Sequence, residues 1–387
     1  MLINTVYATH ISKSGVCYAC QSILESMQAV DIDVRLFCVS ADSDVHIRPF
    51  HRFSLPLWAK PLGYKLIPVG LWERYTEWRY QRSFNGQQIA YLWPSTSIDT
   101  FRFAKSNGHI LLTESINTHQ ATGKQILDAE YSRLGLMPMH GIDEKGICEE
   151  NAKLELADYI FSPSEQVSKS LLNANVPREK IIASSYGLDS AHILLPEQVS
   201  ARTQKKNTEL TAIFVGRIGI RKGVHLLLEY WAKAGINGKL KLIGNIEQGA
   251  RPLVEPYLIR HDIEHIPFTG DLESLYLNAD IFLLPSLEEG SPLVTYLALG
   301  AGLPSIVSPM GGGGIINHGC EGLIVNPHDA DGWIDAIRKL FSDAELRMKL
   351  SRNAFNRAGE YLWSNVGRQR RELLLAAMDS RVGAKQL

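Results

Sequence analysis

Cysteine is scarce in this chain, with five among 387 residues. That is too few for the disulfide framework of a small secreted domain, and they read as reduced, mostly buried thiols of a cytosolic protein. Cys17 and Cys20 are spaced Cys-x-x-Cys, but no second pair lies downstream, so core packing is favoured over a metal or redox role. A charge excess is missing too: 40 Lys and Arg face 41 Asp and Glu, which gives no global attraction to nucleic acid. The longest uncharged stretch, Gly290 to Gly319, is broken by proline and glycine and holds no spanning helix. The start, Leu2 to Tyr7, is strand-like and carries no basic region or cleavage signal, so a signal peptide is not expected. Nor does any strand lead into the three-glycine dinucleotide fingerprint. The first loop, Thr9 to Gly15, has Gly15 alone. Its place after the first strand still makes it pocket-lining by the general rule for open sheets, with His10 a candidate there.

What is present is a 45% hydrophobic composition and a steady alternation of strands with helices, which argues parallel sheets covered on both faces. The length suggests two or three domains. The first unit is expected over 1–195. Glu197 to Glu209 is polar, poor in apolar residues, and reads as a linker. A second unit is expected over 208–362, with a last helix from about Asn365 and a basic tail. Residues His46 to Arg82 stand apart: cations outnumber acids, and Trp58, Tyr64, Trp72, Tyr75, Trp78 and Tyr80 are interleaved. This is either an ordinary surface helix packing its aromatics or a surface that meets an acceptor or the anionic membrane carrying it.

The organising stretch is Pro285 to Gly302. The apolar run Asp280 to Leu284 precedes it as a buried strand, and Leu303 to Val307 follows as another. Between them a turn becomes a helix, with Ser291 suited to the N-cap and Pro292 to the first helical position. Glu289 lies just before the positive helix end, where free amides favour phosphate, so its carboxylate should face hydroxyl groups instead. The glycines of Met310 to Gly314 would let backbone approach a ligand. In the loop Gly216 to Gly223, Arg217 and Lys222 suit a diphosphate: one a planar fork, the other a point charge. At the end of a first-domain strand, Glu114 to His119 bring a carboxylate, an amide and an imidazole together.

These motifs resemble a retaining glycosyltransferase of family four. The matching segments are Val215-Gly-Arg-x4-Lys-Gly223, Ala279-Asp-x4-Pro-Ser286 leading to Glu289-Gly, Gly302-x-Pro304, Gly311-Gly, and His318-Gly-x-x-Gly-Leu323. Asp158-x3-Ser162 and Tyr186-Gly-Leu-Asp189 match the end of that family's first domain. The resemblance implies an α/β GT-B fold, two Rossmann-like domains facing a central cleft, with the final helix (about 363–387) crossing back to the first domain. It implies a nucleotide-sugar donor and a saccharide or lipid-linked acceptor, in polysaccharide or glycoconjugate synthesis. By position, Arg217 and Lys222 would bind the diphosphate and Glu289 the sugar hydroxyls. Gly216, Gly290, Ser291, Leu293 and Gly15 would complete the donor site. His119 would line the catalytic pocket, with Glu114 a further catalytic candidate.

No cofactor or metal is implied, since the Asp-x-Asp pairs at Asp31, Asp42 and Asp329 lie outside the expected context. A cytoplasmic enzyme, with peripheral membrane contact through 46–82, is the corresponding placement. One position departs from the family pattern. A second glutamate, eight residues after the first, would hold the ribose, and here that position is Leu297. An apolar side chain cannot accept those hydrogen bonds, so weaker nucleotide binding is expected. A catalytically degenerate scaffold that binds a sugar or partner without turnover is the alternative.

Overall fold

The structure, a computed structural model, describes residues 1–199, 209–267 and 271–384, the side chains of 381–384 excepted. Most of the sequence-expected linker, Glu197 to Glu209, lies outside the described residues.

Short apolar runs form the strands, and every pairing between strands in the two large sheets is parallel. The first sheet uses β1 (Leu2–Val6), β3 (Asp33–Cys38), β5 (His51–Phe53), β6 (Ile89–Leu92), β7 (Ile110–Glu114), β8 (Tyr159–Ser162) and β9 (Ile181–Ala183) in the order β5-β3-β1-β6-β7-β8-β9. A two-residue pair, β2 (His10–Ile11) with β4 (Ser40–Ala41), extends from its upper end. The second sheet is built from β10 (Leu210–Val215), β11 (Gly238–Ile243), β12 (Ile263–Ile266), β13 (Ile281–Leu284), β14 (Ser305–Val307) and β15 (Gly322–Ile324), in the order β12-β11-β10-β13-β14-β15. Parallel strands are buried on both faces and so need no polar alternation. All four residues of β13 are buried, as are all four of β6.

In each sheet the strand order reverses at the first strand of the unit: chain order runs one way from β1 or β10 and then the other. Ligands of open α/β sheets bind at this reversal, beyond the carboxyl ends of the strands. The loop after β1 and the loop after β10 therefore mark the two places where a site belongs. The loop after β1 leads into α1 (Gly15–Met27).

The aromatic, cation-rich segment forms α2 (Lys60–Leu66) and α3 (Val69–Gln81), joined by a hydrogen bond from Trp72 Nε1 to the Gly63 carbonyl at 3.3 Å. The last helix, Trp363–Ala384, lies on α1 in the first domain. Trp363 Nε1 donates to the Tyr18 hydroxyl at 3.0 Å, and the Tyr159 hydroxyl donates to the Ala377 carbonyl at 3.1 Å. Cys17, Cys20 and Cys38 are buried in the first-domain core, and all five cysteines are free.

Candidate functional site

A cavity of about 300 Å³ lies between the two domains. From the first domain it is lined by Gly15, Val16 and Ala19 of α1, by Ile116 and Asn117 after β7, and by Tyr186 after β9. From the second come Gly216 after β10, Lys222, and the segment Glu289, Ser291, Pro292, Leu293 and Val294 after β13. Both reversal points of strand order thus open onto one space.

Lys222 donates to Glu289, and both side chains are largely buried, at 18% and 12% exposure. The lysine aliphatic stem packs against Gly216, whose φ of +138° is one a side chain would strain. The helix Leu293–Gly300 points its first turn at the same space. A cation, a carboxylate and free helix amides within one enclosure suit a ligand with an anionic part and a hydroxyl-bearing part.

Gly290 is not on the cavity wall, but it allows the domains to meet there: a Cβ at this position would overlap the Ile116 carbonyl of the first domain. Arg217 sits at the rim. Its side chain does not line the cavity: it is 76% exposed, with Glu247 3.6 Å away.

Several residues stand differently from the sequence expectation. Ser291 does not cap the helix, which begins at Leu293 with Pro292 in the cap position. The Ser291 hydroxyl instead donates to the Gly313 carbonyl at 3.2 Å and accepts from the Tyr296 hydroxyl at 2.7 Å. The glycine run packs against the protein rather than the cavity, because a Cβ at Gly311 would overlap the Leu284 carbonyl. Thr295 donates to the Gly311 carbonyl at 2.7 Å, which ties the run to the buried helix.

His119 is buried and does not line the cavity. It caps the helix Gln120–Arg133, with Nδ1 accepting from the Ala121 amide at 3.2 Å. That bond leaves the proton on Nε2, which donates to Asn151 Oδ1 at 2.8 Å. Glu114 is buried and does not line this cavity either. Its two oxygens accept from Arg370 of the last helix at 3.0 Å each, and one also accepts from the Tyr91 hydroxyl. Leu297 lies one helical turn beyond Leu293. There it borders a separate space of about 20 Å³ with His192, Leu194, Leu272, Glu273 and Tyr276. His10 bonds Ser40 and Asp42, and Lys60 of α2 bonds Asp42 at 3.0 Å, so this imidazole serves the loop.

Sequence reasoning passed over the clasp beside the cavity. Glu288 is buried, pairs with Arg221, and accepts from the Thr118 amide (3.2 Å) and hydroxyl (2.5 Å) of the first domain. Burial pushes its carboxyl above the ordinary value, with Arg221 and Thr118 opposing. Adjacent residues of an extended turn face opposite ways, so the doublet Glu288-Glu289 sends one carboxylate to the domain seam and one to the cavity. That doublet was the available signal. A second clasp joins Glu130 of the first domain to His225 of the second at 2.6 Å, with Arg133 at 2.7 Å. Burial opposes the ionised form of Glu130, but His225 and Arg133 outweigh it and hold the carboxyl at about 2. Among the described residues, no three His, Cys, Asp or Glu side chains converge as a metal would require.

Residues 197–357 match the family model described as Glycosyl transferases group 1. An uncharacterised glycosyltransferase of Methanocaldococcus jannaschii is 28% identical over 275 residues, which is 66% of this chain and 69% of that protein. Among solved structures, sucrose-phosphate synthase from Thermosynechococcus elongatus superposes with a TM-score of 0.74 at 21% identity, over 98% of this chain and 99% of that one. Anabaena HepE in complex with UDP-glucose gives 0.67 at 15% identity, over 97% and 100%. The fold is GT-B, two Rossmann-like domains about a cleft.

Proposed function

We propose that this chain is a glycosyltransferase that moves a sugar from a nucleoside-diphosphate sugar to a saccharide or lipid-linked acceptor with retention of configuration. The pathway class is polysaccharide or glycoconjugate synthesis. The observation that carries the reading is the meeting of Lys222, Glu289 and the first turn of Leu293–Gly300 in the interdomain cavity. The match of residues 197–357 to group 1 glycosyl transferases supports it. So does a GT-B neighbour whose structure holds UDP-glucose.

In this reading the diphosphate lies against Lys222, the Gly216 backbone and the helix N-terminus, and Arg217 turns in from the rim. Positive charge at the departing diphosphate lowers the barrier by electrostatic stabilisation. Glu289, released from Lys222 when phosphate arrives, accepts hydrogen bonds from sugar hydroxyls. Ser291, Leu293 and Gly290 shape the wall and its approach, and Gly15 closes it from the first domain. His119 and Glu114 hold the frame rather than touch the sugar: one caps Gln120–Arg133, the other anchors the last helix. No cofactor or metal is needed, since Lys222, Arg217 and the helix end supply the charge. The free cysteines suit a cytoplasmic setting.

The experiment is titration calorimetry against UDP-, GDP- and ADP-sugars, followed by NMR of the product with a responsive donor. Donor-dependent heat and a product with the donor's anomeric configuration are expected. Absence of binding to every nucleotide sugar favours a degenerate scaffold, and an inverted product refutes retention.

A further inference from the structure

Soluble proteins scatter exposed apolar side chains and rarely gather them into a large contiguous patch. Here they gather on α2, α3 and the turn before α2. Trp58, Leu62 and Leu66 recur at every fourth residue, with 87%, 60% and 68% of their surfaces exposed. Leu71, Tyr75 and Trp78, spaced four and then three apart, are exposed on α3. The buried residues of α3 are Thr76 and Tyr80, so this helix shows its apolar stripe outward.

Lys65, Arg74 and Arg82 are exposed in the same two helices and the turn after them. The acids are not: Glu73 and Glu77 are half-buried, and Glu77 is held by Ser97 and Thr100. Arg82 stacks over the Trp78 ring with its guanidinium carbon 4.6 Å from the centroid. Indole and phenol rings beside cations, around protruding leucines, match the headgroup boundary of an anionic bilayer. The exposed charge of these two helices is thus of one sign, which complements a surface of uniformly negative headgroups. No described helix is long and apolar enough to cross a membrane, so contact through this face would be peripheral.

The patch is also tied to the cavity. Lys60 of α2 bonds Asp42 and the Ala41 carbonyl, and Tyr64 bonds Ser40 at 2.7 Å. His10 shares Asp42 and Ser40 and belongs to the loop that ends at Gly15 on the cavity wall. The helix α2 therefore sits at the carboxyl end of the first sheet, bonded to the loop that reaches the cavity wall.

We infer that α2 and α3 dock this protein onto an anionic lipid surface, with Trp58, Leu62 and Leu66 entering the acyl boundary and Lys65, Arg74 and Arg82 meeting headgroups. The inference is independent of the donor reading and is tested separately. The full chain is floated with phosphatidylcholine vesicles with or without 30% phosphatidylglycerol, across a salt series. Co-flotation with the anionic vesicles that weakens with salt is expected. Trp58→Ser/Leu62→Gln/Leu66→Gln and Lys65→Glu/Arg74→Glu/Arg82→Glu should each lower the bound fraction at least tenfold. Circular dichroism and donor calorimetry on the same samples should be unchanged, because every altered side chain is exposed. Failure to float at low salt, or flotation indifferent to both variants, overturns the inference. So does a concentration-dependent dimer that both variants dissolve, which would assign the face to a second copy. Donor binding that persists through any of these outcomes leaves the proposed function standing.

Discussion

Lys222 is the most exacting place to test the proposed chemistry. In the free protein it pairs with Glu289 in the interdomain cavity, with 18% of its side chain exposed. A nucleoside diphosphate must draw the ammonium away from that carboxylate, and the sugar hydroxyls must then satisfy Glu289. Lys222→Met keeps the stem that packs on Gly216 and removes only the charge. A charge-assisted hydrogen bond contributes roughly 1.5–3 kcal/mol, which is about 10- to 150-fold in an equilibrium constant. Donor Kd from calorimetry should rise by that factor, and the loss should shrink at high salt, where phosphate attraction is screened. The double variant Lys222→Met/Glu289→Gln separates two roles. Measured with the free nucleoside diphosphate, which brings no sugar for Glu289 to hold, the double variant should stay as weak as Lys222→Met if the lysine binds diphosphate. A donor Kd within twofold of wild type for Lys222→Met, with a lowered melting temperature, would refute the reasoning and make Lys222 a structural partner of Glu289.

Leu297→Glu should not tighten nucleotide binding. Leu297 borders a separate space with His192, Leu194, Leu272, Glu273 and Tyr276 off the main cavity, so a carboxylate there should cost about 1–3 kcal/mol in urea unfolding; a nucleotide Kd lowered tenfold would overturn this placement. Arg370→Met should destabilise by roughly 3–5 kcal/mol, because it leaves Glu114 buried without its ion-pair partner; adding Glu114→Gln should recover much of the loss, and equal stability of the single and double variants would count against the pair. Glu130 has a folded value near 2 against an ordinary 4.5. Its contribution, on the order of 3 kcal/mol, is present above the unfolded value and disappears as pH falls from about 4.5 toward 2. Denaturant midpoints at pH 6 and pH 3 should therefore fall further for wild type than for Glu130→Gln, and parallel falls would refute the assignment.

The parallel α/β architecture was legible because buried strands must be short and wholly apolar, as in β13, and because the pattern restarts after residue 209. Lys222 and Glu289 were legible for another reason: charge beside glycine at a strand end has few other uses. The rest depended on direction, which spacing does not encode. Glu114 and His119 look like a polar cluster at a strand end. Yet Arg370, far along the chain, and Asn151, on a neighbouring helix, decide which way they face. Ser291 lost its expected capping role to Tyr296 and Gly313, partners brought close only by the folding of the helix against the glycine run. The clasps Glu288–Thr118 and Glu130–His225 belong to neither domain alone: the acidic doublet at 288–289 was the one local sign of the first, and the second left none.

The Glu114–Arg370 pair also bears on the order in which this protein is made. Glu114 leaves the ribosome with its strand, but the guanidinium that neutralises it emerges only after the whole second domain has been synthesised. At about 5–20 residues per second, the interval is on the order of 10–50 s. Through that time the nascent first domain holds an acid with no counter-charge beside Tyr91, and the face of α1 that Trp363–Ala384 will cover stays open. The first domain can collapse early but cannot finish, and a chain cut before residue 370 would leave this unit, although the break lies far from it, as the part that fails to mature.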